Sequence, residues 1–108
     1  MTRATLSERV MSVEQVVHAR EGTLVVLDHH LQVRRTGSQR VFELHASDLR
    51  RVQVDIELGR PATVAIVPNS ANMEAHVLTV EPDQFEVLSL AVLHLAVDLD
   101  EVSRTRGA

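Results

Sequence analysis

PDQFEVLSLAVLHLAVDL, residues 82–99, is the one long window of helical character in this chain, and everything before it reads as short strands. Pro82 suits a first helical position, where its fixed φ helps and its missing N–H costs nothing. Asp83 and Glu86 place negative charge near the positive end of the helix dipole. At about 100° per residue, Phe85, Leu88, Val92, Leu95, Ala96 and Leu99 share one stripe, the predicted core face. Asp83, Glu86, His94, Asp98 and Glu101 occupy the opposite side. Between those charges run Leu90, Leu93 and Val97, a second apolar strip that a single sheet need not cover. Either strand ends and loops wrap this strip, or a second subunit does. The window is no membrane span, because Glu86, Ser89, His94 and Asp98 interrupt a run that must stay apolar for about 18 residues.

Upstream, the chain divides into strand-length pieces. Residues 1–12 are polar and mixed, a loose arm or short helical turn. Residues 13–20, VEQVVHAR, carry β-branched residues and form a first strand. Residues 23–28, TLVVLD, are apolar on both faces and fit a central, covered strand. Residues 31–35, LQVRR, alternate, with Leu31 and Val33 inward and Gln32 and Arg34 outward. Residues 40–45, RVFELH, give a fourth strand, and Ser47 or Asp48 can hold the turn that follows. Residues 51–58, RVQVDIEL, are the clearest amphipathic strand: Val52, Val54, Ile56 and Leu58 on one face, Gln53, Asp55 and Glu57 on the other. Residues 62–67 and 75–80 supply the sixth and seventh. With no repeat and no linker, we expect one domain over 13–102, followed by a flexible tail at 103–108.

Composition excludes several roles. Without cysteine there is no disulfide framework, thiolate nucleophile or zinc-thiolate site. A net charge of −4 argues against nucleic-acid or anionic-membrane partners, which need a basic surface. Phe42 and Phe85 are the whole aromatic content, too few for a base-stacking platform. Residues 1–10 have no apolar signal core, so the expected location is the cytoplasm.

Strands of this spacing closed by one helix resemble the pleckstrin-homology-like superfold, and within it the small bacterial PH-like domains. The resemblance rests on residues 22–35, 41–58 and 75–95: an early hairpin, a strand–turn–strand with apolar Leu49 at the turn, and a last strand entering a capping helix. It implies an α+β fold, a bent antiparallel sandwich or partly open barrel of about seven strands with its helix over one open end. It also implies homo-oligomers. The tubby and LURP-one barrels resemble the chain too, through the apolar helix and acidic end of residues 95–102. Those barrels need more strands than the seven counted here. Phosphoinositide binding does not carry over from PH domains. The first hairpin loop offers Arg20 beside Glu21, and that is no anion funnel.

Chemistry is sparse. Of the histidines at 18, 29, 30, 45, 76 and 94, only His29 and His30 cluster, and neighbours on a strand point to opposite faces. They are candidate ligand or metal residues only if they sit in a turn. No nucleophile motif and no phosphate-binding glycine loop occurs, so we expect no enzyme and no cofactor. Three classes follow: an interaction or self-assembly module using sheet edges or the helix strip Leu90, Leu93 and Val97; a small-molecule or lipid carrier; and a metal or anion sensor at His29 and His30. We expect the first, with a homo-oligomer or another protein as partner.

Overall fold

A computed structural model describes residues 14–107, with side chains described for 14–96. Two antiparallel sheets and a C-terminal helix make an α+β fold, a partly open sandwich rather than a closed barrel. The first sheet has the order β1 (Gln15–His18), β2 (Gly22–Leu27), β3 (His30–Arg35) and β4 (Val41–His45). The second contains β5 (Leu49–Asp55), β6 (Ala62–Pro68) and β7 (His76–Val80). A single 3-10 turn, Pro82–Gln84, leads into helix α1 (Phe85–Gly107). The helix runs past Leu99, so residues 103–107 belong to it and not to a separate tail. The predicted arm at 1–12 lies outside the described residues.

Strand alternation produces the core. In the first sheet Leu24 pairs with Val33 and Val26 with Leu31, and Leu31 pairs in turn with Leu44. In the second, Val64 pairs with both Val54 and Leu78. Each register puts apolar side chains on one face of its sheet, and these faces meet in one buried cluster. Val25, on the other face of β2, is also buried at 7% exposure, as expected of a strand apolar on both sides.

Local chemistry sets the turns. Leu27 pairs with His30, so Asp28 and His29 form a two-residue hairpin connection. His29 takes φ 64° there, a left-handed conformation in which histidine is over-represented. A single turn, Ala46–Asp48, joins the sheets. Backbone bonds help to hold it: the Ala46 N–H donates to the His29 carbonyl (2.8 Å), and the Asn69 N–H to the Asp48 carbonyl (2.8 Å). Gly22, at the start of β2, is required by close approach. A Cβ built on it would lie 2.0 Å from the Arg34 carbonyl oxygen.

The helix packs mainly on β1 and the 46–48 turn. Leu88, Ala91 and Leu95 are its buried line, at 1%, 0% and 2% exposure. This corrects the predicted stripe: Val92 is only partly buried and Ala96 is exposed. The core face is rotated by about 60°, measured at 100° per residue. Two causes are visible. Ala91 is small enough to let the helix backbone approach the strands. His94, predicted on the solvent side, is instead drawn to the sheet, with Nδ1 2.7 Å from Gln15 Oε1 and Nε2 2.8 Å from Asp28 Oδ1. Strand β5 is the second correction. It ends at Asp55, so Ile56 (54% exposed) and Leu58 (fully exposed) leave the core face that alternation gave them.

Two stability predictions follow from this packing. Leu88→Ala should cost about 2–5 kcal/mol in chemical denaturation, the range for deleting a buried large side chain. Gly22→Ala should cost about 1–3 kcal/mol, because the new methyl meets backbone that cannot step aside. An unchanged denaturation midpoint in either variant contradicts the corresponding contact.

Candidate interaction surface and polar cleft

Two of the concavities on the described surface differ in chemistry. The first is an apolar groove of about 560 Å³ between α1 and β5, lined by Val54, Ile56, Leu88, Ser89, Val92, Leu93 and Ala96. It exists because β5 is an edge strand of a three-stranded sheet and α1 lies beside that edge. The rotation of the helix turns Val92 and Ala96 away from the core and into the groove. Leu93 is 63% exposed at its border. Leu90, 54% exposed, lies further round the helix and does not line the groove. The side chain of Val97 is outside the described residues. Of the predicted strip, Leu93 is therefore the member that meets a sheet edge.

The second concavity is a cleft of about 410 Å³ lined by Val33, Arg35, Ser38, Arg40, Val41, Phe42, Glu74 and His76. No residue of α1 contributes to it. His76 is the one buried polar or charged residue among the described residues, at 9% exposure. Its Nδ1 accepts a hydrogen bond from Arg35 Nη2 at 3.3 Å, an assignment that fits the neutral ring. Its ring also lies against Phe42, with centroids 4.1 Å apart and planes at 38°. Burial first, and the Arg35 charge second, hold the imidazole below its ordinary value of 6.5, against the opposite pull of Glu74. Behind Arg35 stands Glu21. It accepts from the Thr79 N–H (2.6 Å) and from the Thr79 hydroxyl (2.7 Å). Burial would push the Glu21 carboxyl up, but the Thr79 bonds and the Arg35 charge outweigh it and hold the group below 4.5.

His29 and His30 do sit at a turn, yet they part company there. His29 is exposed within the hairpin connection. His30 begins β3, and its ring stacks on His45, its cross-strand neighbour, at 5.8 Å between centroids. His30 Nε2 lies 3.5 Å from Glu43 Oε2. Among the described residues no three His, Asp or Glu side chains form a metal-ligating group. Nor is any described helix long and apolar enough to cross a membrane.

Arg35, Phe42 and His76 were not singled out from the sequence, although alternation marks them. Arg35 continues the inward series Leu31 and Val33, and His76 precedes the inward Leu78 and Val80. A polar residue in step with an inward series was the available signal. The chain matches no family model, and a search of the curated proteins finds no match.

Acid sensitivity follows from the two shifted groups. Both bind protons more readily in the unfolded chain than in the fold, so stability falls as pH falls. The His76 share is fully present above pH 6.5 and is lost below it; the Glu21 share is lost below about pH 4.5. Denaturation midpoints measured at pH 7.5 and 5.5 should differ less in His76→Leu than in the parent. An equal difference removes His76 as the cause.

Proposed function

We propose that this domain is a non-enzymatic interaction module that assembles with a second copy of itself through β5 and α1. One observation carries the reading: the outer edge of β5, which pairs with no strand among the described residues, and the outer apolar flank of α1 border the same groove. A sheet edge offers unpaired backbone donors and acceptors, and natural proteins cover or pair such edges. Beside this edge an apolar shelf waits, and an added strand would bury it.

The sequence of β5 favours its own copy as the occupant. Residues 50–57 read RRVQVDIE, basic at one end and acidic at the other. Antiparallel pairing about a twofold at Gln53 sets Val52 opposite Val54 of the partner subunit and Arg51 opposite Asp55 of the partner subunit. Opposite charges directly across a strand pair stabilise it, and like charges do the reverse. A twofold repeats every such contact, so one strand supplies both halves of a closed, isologous interface. Fully burying an apolar side chain such as Leu93 contributes about 1.5–3 kcal/mol. The arrangement of four strands, three strands and a closing helix supports the PH-like reading, which implies homo-oligomers. A second reading, a small-ligand carrier, draws on the cleft between β3, β4 and β7.

Sedimentation at micromolar concentration should give a species of twice the 12.0 kDa chain mass. Asp55→Arg, which faces Arg51 with a like charge, should shift the species to monomer, and so should Leu93→Glu. The double change Arg51→Asp with Asp55→Arg restores the charge pattern in reverse and should restore the dimer. A monomeric parent overturns the proposal, and failure of the double change to rescue overturns the β5 register.

A further inference from the structure

We infer that the cleft at Arg35 and His76 is a binding site for a small monocarboxylate with an apolar body. Its position in the fold is the starting point. Inward-facing positions of a sandwich are where apolar side chains belong, and along β3 and β7 they are Leu31, Val33, Leu78 and Val80. At one end of the interior the same two series end instead in Arg35 and His76. The guanidinium and the imidazole arrive from opposite sheets and meet there. Phe42, inward on β4, closes one side against the His76 ring. A purely structural end to the core is cheaper with apolar residues, since polar groups lose hydration when buried.

The lining defines the guest. Arg35 spends one N–H on His76, and the rest of its planar fork suits the two oxygens of a carboxylate. Arg40 stands at the exposed rim, where Ser38 Oγ accepts from its backbone N–H at 3.1 Å and holds the loop. Counted over the lining, Arg35 and Arg40 oppose Glu74 and leave one net positive charge beside a neutral imidazole. That balance matches a monoanion. A phosphate dianion would face Glu74 with too little compensation, especially because Glu21 already shares the Arg35 charge. Val33, Val41 and Phe42 form the apolar walls, and a flat body can lie along the Phe42–His76 pair. The volume falls in the range of ordinary small-ligand pockets. The cleft and the α1–β5 groove have no lining residue in common, so either can fail without the other.

The test is a titration of the full-length, isotope-labelled protein with sodium benzoate, followed by NMR. Saturable shifts in the millimolar range are expected at Arg35, Phe42 and His76. Benzamide, the neutral analogue of the same shape, should bind weaker by about tenfold or more, the scale of a charge-assisted hydrogen bond. Inorganic phosphate should not compete. Arg35→Leu, which extends the apolar series of β3, should lose benzoate by a similar factor. Should that variant fail to fold, the benzoate and benzamide comparison in the parent protein still decides. The proposal is overturned if benzoate gives no saturable shift, if the shifts fall elsewhere, if benzamide binds equally well, or if phosphate competes on equal terms. The first two outcomes would leave Arg35 as an inward charge that only guards the sheet from pairing.

Discussion

Among the described residues no strand ladder joins the two sheets, so the fold depends on the apolar seam they share with α1. Within each sheet, backbone hydrogen bonds fix neighbours to neighbours. Between the sheets, the work falls to Val17, Leu24, Leu31, Val64, Leu78 and the helix line Leu88, Ala91 and Leu95. Hydrophobic burial is strong but has no direction. Direction comes from a few long-range polar bonds. Glu21 clamps Thr79 from the first hairpin, the Arg20 N–H reaches the Thr79 carbonyl, and His94 ties α1 to Gln15 and Asp28. Together they hold the sandwich at one angle while leaving part of its rim open.

Both concavities are by-products of that incomplete closure. Where α1 crosses beside β5, the helix covers the core but not the strand edge, and a groove remains. Away from the helix, at the start of β7, a guanidinium, an imidazole and one aromatic ring border the cleft. A closed barrel would have neither feature. The openness of the sandwich is thus the physical source of both the α1–β5 groove and the cleft at Arg35 and His76.

Strand positions were legible because period-two alternation is a local property that the buried faces enforce. All seven strands fall within a few residues of their predicted positions. The helix phase was less legible, because Ala91 and Val92 are both apolar and only packing decides between them. His94 shows the same limit from the polar side: its partners lie 66 and 79 residues away. Ile56 and Leu58 continue the alternation of β5 perfectly well, yet the pairing with β6 stops at Asp55, opposite Thr63. Leu90 and Leu93 were marked as surplus apolar residues, but only the sheet edge beside the helix separates their roles. The cleft was written in the parity of Arg35 and His76, yet nothing local says that two inward polar residues from different sheets will meet.

The order of the elements has a consequence for synthesis. Translation delivers every strand before it delivers α1. Until the helix leaves the ribosome, the nascent sheets lack Leu88, Ala91 and Leu95, and their inner faces stay partly wet. Unpaired edges and exposed apolar faces are what chaperones recognise and what aggregation feeds on. The vulnerable interval therefore ends only when the helix arrives, so a pause in translation anywhere before α1 emerges lengthens it.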